Sequence, residues 1–246
     1  MKRLENKIAL VTGGSRGMGA AIVKRLAAEG ATVVFTYGKS AAKANELAAT
    51  LQQAGHQVLA VAADAAEVTA TTNAVKTTVD KFGRIDILVN NAGIAVMKPF
   101  EDYTLEDYES TMAVNVRSVF VGTQAAVPHI GKGGRIITIG SCMAERVSGP
   151  YGTLYAMSKS ALTSFNKGLS RDLGSRGITV NLVQPGPVDT DMNPASGPHS
   201  DMQRQNIALG EYGTTEDIAA IVSFLASEES AYITGSAITI DGGTNA

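Results

Sequence analysis

Residues 8–19, with the sequence IALVTGGSRGMG, carry the strongest structural signal in this chain. A short apolar run of strand type leads directly into a turn that contains Gly13, Gly17 and Gly19, and a segment of helical period follows. Glycines let the backbone turn tightly and approach a pyrophosphate, while unpaired N–H groups and the dipole of the next helix favour an anion. The stretch therefore predicts a strand, a phosphate-binding turn and a helix.

The spacing of these glycines differs from the G-x-G-x-x-G pattern, and the turn lacks the G-K-[ST] of a P-loop. A tight connection that binds no ligand is therefore the alternative. The position of the turn, directly after the first strand, favours phosphate binding.

The alternation of strand and helix continues along the whole chain. Short apolar runs alternate with longer segments rich in Ala, Leu, Lys and Glu at helical spacing, which is typical of a parallel sheet covered on both faces. Gly30, Gly55 and Gly83 follow the first three helices, where a left-handed cap is favoured. The predicted strands are residues 8–11, 32–37, 57–61, 85–89, 135–139, 179–183 and 237–240, and the predicted helices are residues 19–28, 41–53, 68–81, 105–127, 154–173 and 215–226.

These elements predict an α/β fold of Rossmann type, with a doubly wound, parallel, seven-stranded sheet of order 3-2-1-4-5-6-7. Residues 1–246 read as a single domain, because no composition shift, linker or repeat divides them. The irregular stretch is 185–204, which contains PGP, NPASGP and HSDM. A long loop in a compact domain is typical of a lid, expected here at about residues 187–212.

The composition excludes several classes of function. With 44% hydrophobic and 18% charged residues, the chain can bury a core. A net charge of −2 without blocks of like charge predicts no nucleic-acid polymer and no membrane as partner. The single cysteine, Cys142, and three scattered histidines predict no disulfide and no metal site. The absence of a signal-type start and of any apolar run near roughly 18 residues makes a cytoplasmic protein the expectation.

The end of the second predicted strand indicates a phosphorylated ribose. In dinucleotide-binding folds an acid about 20 residues past the turn binds the adenosine ribose, and here that position falls near Tyr37. No Asp or Glu occurs between residues 30 and 45, whereas Lys39, Ser40 and Lys43 do, and Arg16 lies in the turn itself. These residues favour a 2′-phosphate. The alternative is that the lysines only solvate the start of a helix.

Tyr155 and Lys159 carry an acid–base signal. Their i, i+4 spacing places both side chains on one face of a helix. A phenol near an ammonium has its anionic form stabilised, so its pKa is expected to fall from about 10 toward working pH, as a general acid/base requires. An ordinary surface pair is the alternative, because Y-x-x-x-K often arises by chance.

Several motifs occur in a fixed order along the chain. They are T-G-G-S-R-G-M-G, Asn90-Asn91-Ala92-Gly93, Asn115, Ser141, Tyr155-x-x-x-Lys159 and Pro185-Gly186. With them the chain resembles the classical short-chain dehydrogenase/reductases over essentially its full length. Through S-R-G-M-G, R-I-I-T-I-G-S and S-R-G-I-T-V-N it is most similar to the 3-oxoacyl-[acyl-carrier-protein] reductases and related ketone reductases. Through V-Q-P-G-P-V-D-T-D and N-P-A-S-G-P it also resembles the cyclic-di-GMP-binding biofilm dispersal mediators.

The resemblance implies a catalytic set of four residues. Ser141 would hydrogen-bond the substrate carbonyl and Tyr155 would donate its proton. Lys159 would bind the nicotinamide ribose and lower the tyrosine pKa, and Asn115 would hold a water in a proton relay. Two hydroxyl donors at the carbonyl oxygen stabilise the negative charge that builds there when hydride arrives. In isolation, a turn serine and a helix-surface amide are the alternatives for Ser141 and Asn115.

The resemblance also implies the nicotinamide cofactor, and the missing acid near Tyr37 makes it NADP. Asp64 matches the position that contacts adenine, although capping of its own loop is the alternative. The residues expected to bind the cofactor are Gly13, Ser15, Arg16, Gly17, Met18, Gly19, Tyr37, Lys39, Ser40, Asp64, Ala65, Asn91, Ala92, Gly93, Tyr155, Lys159, Pro185, Gly186, Val188 and Thr190.

The expected function is the NADPH-dependent reduction of a ketone or other carbonyl compound to the secondary alcohol, with Tyr155 as general acid/base. The alternative is a nucleotide-binding regulator with little or no turnover, and the complete catalytic set favours the enzyme. By resemblance a homotetramer is expected through helices 105–127 and 154–173 and the last strand. Docking of an acyl carrier protein would need a basic patch at the mouth of the site, for which only Lys132 and Arg176 are candidates.

Overall fold

The computed structural model describes residues 2–246, and seven strands in this part of the chain form one parallel sheet. The strand order is β3-β2-β1-β4-β5-β6-β7, which confirms the predicted order 3-2-1-4-5-6-7. The strands are β1 (Ile8–Val11), β2 (Thr32–Tyr37), β3 (Val58–Ala62), β4 (Ile87–Asn90), β5 (Arg135–Ile139), β6 (Thr179–Pro185) and β7 (Ala237–Ile240).

Helices cover both faces of the sheet, as predicted. The α-helices are α1 (Gly17–Ala28), α2 (Ala41–Gln53), α3 (Val68–Phe82), α4 (Leu105–Met112), α5 (Ser118–Ala126), α6 (Thr153–Gly174), α7 (Ser200–Asn206) and α8 (Thr215–Ala226). None of those within residues 2–246 is long and apolar enough to cross a membrane.

Two hydrophobic cores lie on opposite faces of the sheet. One packs Val11 and Phe35 against α1, α2 and α8, and the other packs Leu10 and Val34 against α3, α5 and α6. Successive residues of a strand point to opposite faces, so each central strand supplies both cores. This double burial explains why the strands are continuous apolar runs in the sequence.

The predicted helix 105–127 is wrong in its continuity. α4 begins at a capping box formed by Thr104 and Asp107, but a π-helical segment, Ala113–Arg117, separates it from α5. The π segment contains Asn115, whose fully buried side chain bonds to neighbouring elements. Such segments often occur at functional sites, and helical periodicity alone does not reveal the extra residue.

The stretch 185–204 is more regular than predicted. β6 extends to Pro185, and the short helix α7 lies within the lid, the name used below for residues 187–212. The predicted left-handed glycines are confirmed, with φ of +100° at Gly30, +84° at Gly55 and +81° at Gly83.

β1 lies between β2 and β4. From β1 the strand order runs outward in two opposite directions, to β3 on one side and to β7 on the other. In such a sheet the crevice at the carboxyl ends of the strands binds ligands. The phosphate turn follows β1 at this edge, Asn91 follows β4, and Ser141 lies just beyond β5. The topology therefore gathers the predicted site residues at one edge of the sheet.

Candidate active site

The turn after β1 forms a cradle made of backbone. Gly13 has φ of +66°, in the left-handed region that favours glycine, and its N–H donates to Thr36 Oγ1 at 3.0 Å. Gly19 leaves no room for a side chain, because an added Cβ would lie 2.2 Å from the Gly13 carbonyl oxygen. α1 begins at Gly17, and its first turn is uncharged. Its positive end can therefore attract an anion, in line with the phosphate prediction.

Thr12 and Asn91 join this turn to the end of β4. Thr12 Oγ1 accepts hydrogen bonds from the N–H groups of Asn91 and Ala92 at 3.0 and 3.1 Å. Asn91 Nδ2 donates to the carbonyl oxygens of Thr12 and Gly13 at 2.9 and 3.0 Å. The structure thus brings the Asn91-Ala92-Gly93 segment beside the turn. Sequence reasoning missed Thr12, whose only signal is a hydroxyl directly before the glycines.

The adenosine end of the predicted site lies at the ends of β2 and β3. Tyr37 ends β2 next to the turn, where the Gly14 N–H donates to the Thr36 carbonyl oxygen at 2.8 Å. Ser40 precedes α2 without forming a side-chain cap, so its hydroxyl is not used by that helix. Asp64 is exposed, and its Oδ1 accepts from the Ala66 N–H at 2.9 Å. Asp64 therefore caps its own turn, which was the alternative to an adenine contact.

Arg16 and Lys43 both contact one carboxylate of the lid. Asp191 Oδ2 lies 2.9 Å from Lys43 Nζ and 3.7 Å from Arg16 Nη1. The pKa of Asp191 is lowered, mainly by the hydrogen bond from Lys43. Sequence reasoning included the two cations and missed Asp191, which directly follows the predicted Thr190.

Tyr155, Lys159 and Ser141 come together where α6 meets the end of β5. Tyr155 lies near the start of α6, and Lys159 Nζ is 5.8 Å from the centre of its ring. Ser141 precedes a 3₁₀ turn, Cys142–Ala144, and its Oγ accepts from the Met143 N–H at 3.2 Å. The Ser141 hydroxyl hydrogen therefore stays available for another acceptor.

Burial raises the pKa of the Tyr155 phenol, and a hydrogen bond with the Ser141 side chain acts in the opposite direction. The expected lowering of the Tyr155 pKa is therefore wrong, because the loss of water around the phenol raises the pKa more than the Ser141 hydrogen bond lowers it. Tyr155 is consequently protonated at neutral pH, the form that a general acid needs.

Lys159 is buried and held by a backbone carbonyl. Its Nζ donates to the Ile139 carbonyl oxygen at 2.9 Å, and burial lowers its pKa to about 8. A Cβ added to Gly93 would lie 3.4 Å from this Nζ and 3.5 Å from Asn115 Oδ1. The three residues therefore converge on one small space, which glycine keeps open.

Both the oxygen and the nitrogen of the Asn115 side-chain amide form hydrogen bonds. Its Oδ1 accepts from the Ile94 N–H, and its Nδ2 donates to the Ile94 carbonyl oxygen and to Ser158 Oγ, each at 2.9 Å. Ser158 in turn donates to the Tyr155 carbonyl oxygen at 2.7 Å. Both amide hydrogens are used, so only the second lone pair of Oδ1 remains for the predicted water. Sequence reasoning missed Ser158, which lies inside the Y-x-x-x-K motif.

The segment after β6 lies above the phosphate turn. Gly186 N–H donates to the Ile240 carbonyl oxygen at 3.0 Å, and Val188 is buried. Thr190 Cγ2 lies 3.6 Å from the place that a Cβ on Gly17 would take. The cofactor-binding residues predicted between Pro185 and Thr190 thus lie in the same crevice as the phosphate turn.

The predicted docking patch of Lys132 and Arg176 is wrong in its position. Both residues lie near the amino end of β5, where the Gly133 N–H donates to the Gly177 carbonyl oxygen. Ser141 lies beyond the opposite end of that strand. Arg176 also donates to the carbonyl oxygens of Val127 and Ile130, at 2.7 and 2.9 Å. The pair therefore offers no basic surface at the mouth of the site.

Comparison with known proteins agrees with this geometry. A family model described as "Enoyl-(Acyl carrier protein) reductase" matches residues 13–245. The crystal structure of a short chain dehydrogenase from Burkholderia cenocepacia J2315 in complex with NADP is similar, with 53% identity and a TM-score of 0.98 over 99% of this chain and 100% of that one. The chain belongs to the short-chain dehydrogenase/reductase family.

Curated relatives of this short-chain dehydrogenase/reductase differ in their names. The cyclic-di-GMP-binding biofilm dispersal mediator protein of Escherichia coli K12 is 41% identical over 98% of both chains. A 3-oxoacyl-[acyl-carrier-protein] reductase of Synechocystis sp. PCC 6803 is 39% identical over 99% of this chain and 98% of its own. Both names fall within the branches that the motifs indicated.

Proposed function

We propose that this short-chain dehydrogenase/reductase reduces a ketone to a secondary alcohol with NADPH. The observation that carries the proposal is the pair of hydroxyls, Ser141 and Tyr155, beside the buried Lys159 at the edge of the sheet that holds the phosphate turn. NADPH, when bound, supplies the hydride. The NADP-bound Burkholderia relative supports this choice of cofactor.

The residues of the crevice fit a dinucleotide. The backbone cradle at Gly13 and Gly19 and the start of α1 suit a pyrophosphate, and Arg16 suits a 2′-phosphate. The Lys159 ammonium is buried and donates one hydrogen bond, to the Ile139 carbonyl oxygen. Its remaining hydrogens suit the hydroxyls of a ribose, for which Gly93 leaves space.

Ser141 and Tyr155 act on the carbonyl oxygen. The Met143 N–H fixes the Ser141 hydroxyl as an acceptor on one side, which orients its hydrogen for donation. Tyr155, protonated because burial raises its pKa, donates a second hydrogen bond and then transfers its proton. Both donors strengthen as negative charge develops on the oxygen, so they stabilise the transition state more than the ground state.

Lys159 stabilises the phenolate that proton transfer leaves behind. Its pKa of about 8 keeps the ammonium charged at neutral pH, while its position deep in the fold keeps bulk water from screening that charge. Asn115 helps to position the Lys159 ammonium, because it links the Ile94 backbone to Ser158, the residue before Lys159. The free lone pair of Asn115 Oδ1 suits a relay water.

The substrate would enter between two irregular segments, the loop 142–152 and the lid. Near Gly152 the loop is apolar, because a Cβ added there would lie 2.4 Å from Met143 Cε and 3.7 Å from both Met97 Cε and Val147 Cγ1. Thioether side chains adapt to varied shapes. The proposal therefore assigns the enzyme a ketone with an apolar body next to the reacting carbonyl.

The tetramer is proposed on the surface of α4, α5 and α6. About half of the Phe120 side chain is exposed in a groove there, whose lining is mainly apolar but includes two charged residues; it consists of Tyr108, Glu109, Met112, Ala113, Val116, Arg117, Phe120, Leu162 and Phe165. A large apolar groove on a protein surface is typical of an interface. A second copy of this chain is the proposed occupant, and light scattering that gives a monomer mass at micromolar concentration would contradict it.

The test of the function is NADPH oxidation with a panel of ketones, quinones and acetoacetyl thioesters. Turnover that depends on Tyr155 supports the reductase. The regulator alternative, which the Escherichia coli relative represents, requires instead that cyclic di-GMP binds and that this binding survives Tyr155→Phe. No oxidation with any substrate, together with such binding, would contradict the reductase.

A further inference from the structure

The carboxylate of Asp191 contacts Arg16 and Lys43, two of the three cations expected near a 2′-phosphate, the third being Lys39. Asp191 Oδ2 lies 2.9 Å from Lys43 Nζ, in α2, and 3.7 Å from Arg16 Nη1, at the start of α1. These contacts connect the lid to both sides of the predicted adenosine end of the crevice. Arg16 and Asp191 lie in motifs quoted above, but the resemblance assigned no role to the contact between them. This contact and that of Asp191 with Lys43 are called here the Asp191 bridge.

The lid transmits a contact at Asp191 to its other parts, because its segments are bonded to one another. The Asp189 N–H donates to the carbonyl oxygen of Gly213, the residue directly after the lid, at 3.0 Å, and Asp189 Oδ1 accepts from the Ala195 N–H at 2.9 Å. Farther along, Gln203 Oε1 accepts from Asn193 Nδ2 at 2.9 Å and from Tyr212 OH at 2.8 Å. These hydrogen bonds link the residues next to Asp191 to the later part of the lid.

Two anions compete for the same cations. A carboxylate carries one charge, and both it and the two cations are about half exposed, so the Asp191 bridge is weak. A phosphate monoester carries nearly two charges and three acceptor oxygens and binds arginine in a bidentate manner. A 2′-phosphate would thus displace Asp191 from Arg16, whereas a ribose with free hydroxyls would leave the bridge in place.

We propose that Asp191 is a specificity-determining residue that competes with the 2′-phosphate of NADPH and couples its binding to the lid. The 2′-phosphate of NADPH takes the place of the Asp191 carboxylate at Arg16 and releases the lid residues next to Asp191. NADH, which lacks this phosphate, leaves the bridge in place. This inference rests on the proposed cofactor, and it adds a residue that opposes the binding of the preferred one.

The first experiment measures binding of two adenosine probes to the full chain by calorimetry at low ionic strength. Adenosine 2′,5′-bisphosphate carries the competing phosphate, and adenosine 5′-phosphate does not. Asp191→Asn is expected to tighten the bisphosphate by roughly two- to tenfold and to leave the monophosphate within about twofold. The gain is expected to vanish in about 0.5 M salt, which screens exposed charges.

Matched variants separate competition from general charge effects. Asp201→Asn removes a negative charge from α7, where the carboxylate is 96% exposed and contacts only Arg204, at 3.5 Å. It is expected to change neither affinity, and Asp191→Glu is expected to stay near the parent. An equal gain in Asp201→Asn, or an Asp191→Asn variant that binds the bisphosphate no more tightly than the parent, overturns the proposal.

Hydrogen exchange gives a readout that is independent of affinity. The Thr190, Asn193 and Ala195 amides are held by bonds within the lid. Adenosine 2′,5′-bisphosphate is expected to speed their exchange toward the rate of unliganded Asp191→Asn, and adenosine 5′-phosphate is expected to leave it unchanged. Exchange that ignores the bisphosphate contradicts the coupling to the lid.

The outcomes distinguish this inference from the proposed function. If NADPH is oxidised with a ketone but Asp191→Asn behaves as the parent, the competition fails and the reductase stands. If the expected probe affinities appear but no ketone is reduced, the reductase fails and the competition stands. If the bisphosphate does not bind, the competition fails, and NADPH oxidation alone decides the reductase.

Discussion

The two ends of the crevice are built by different means. At the phosphate end the contacts are made by backbone atoms of a turn that Thr12 and Asn91 hold in place, and a Cβ on Gly19 would meet a carbonyl oxygen at 2.2 Å. At the end proposed for the substrate the walls are side chains on the loop 142–152 and the lid, where a Cβ on Gly149 would meet nothing within 4 Å and one on Gly152 would meet the end of a flexible side chain, Met143 Cε, at 2.4 Å. A side chain added at the first end would therefore meet backbone, whereas one added at the second would meet open space or a flexible side chain.

Tyr155→Phe tests the chemistry between the two ends and should have the largest effect. The variant keeps the ring and loses the proton donor, so turnover of a good ketone should fall by roughly 10²–10⁴. NADPH binding should persist, because the cradle is untouched. Tyr151→Phe is the control, since Tyr151 is exposed on the loop. Comparable losses in both variants would contradict the role of Tyr155.

Arg16→Ala tests the phosphate end. One charge-assisted contact to phosphate is lost, so catalytic efficiency with NADPH should fall by about one to two orders of magnitude, while that with NADH should change little. Tyr37→Asp should shift preference toward NADH, because a carboxylate repels the phosphate and binds ribose hydroxyls. Equal losses with both cofactors would show that Arg16 supports the turn in general.

Gly19→Ala and Gly149→Ala compare the two ends directly. The first forces a methyl group against the Gly13 carbonyl and Asn91 Nδ2, so the free energy of unfolding should fall by about 1–3 kcal/mol. The second adds a methyl group in open space and should be neutral or slightly stabilising. Chemical denaturation measures both, and similar losses at the two positions would contradict the contrast.

Lys159→Met, which should also reduce turnover, tests the assigned pKa through a smaller effect, the pH dependence of stability. The pKa of Lys159 is about 8 in the fold, below its usual value near 10.5. Between these values the unfolded chain binds more protons, so the parent should gain stability as pH rises from about 8 to 9.5. The variant should lack that gain. Denaturation midpoints at several pH values measure it, and parallel curves would refute the assigned pKa.

The contrast between the two ends also explains what the sequence could predict. The strand order and the phosphate turn follow from glycine positions and apolar runs, because backbone geometry restricts the residue types allowed there. Helical spacing predicted that Tyr155 and Lys159 are neighbours, and the resemblance to the family, through the order of the other motifs, implied their roles. These features depend on local chain geometry, which sequence spacing encodes.

Features that depend on long-range packing were missed or wrong. The Asp191 bridge joins residues 148 positions apart, and no local pattern indicates it. The raised pKa of Tyr155 results mainly from burial, which the Y-x-x-x-K spacing does not reveal. The assignment of Lys132 and Arg176 to the mouth of the site was an avoidable error, because both residues shortly precede predicted strands and so lie at the amino ends, opposite the crevice.

The π-helical segment Ala113–Arg117 has a consequence for the phase of the helices around it. One surplus residue in a wide turn offsets α5 from α4 by about 100° around the axis relative to an uninterrupted helix. α4 can therefore pack on α6 while α5 packs on α3, although the two follow one another in the chain. The same offset turns Asn115 inward to Ile94 and Ser158. One additional residue thus lets two consecutive helices pack on different neighbours and places the Asn115 amide in the candidate active site.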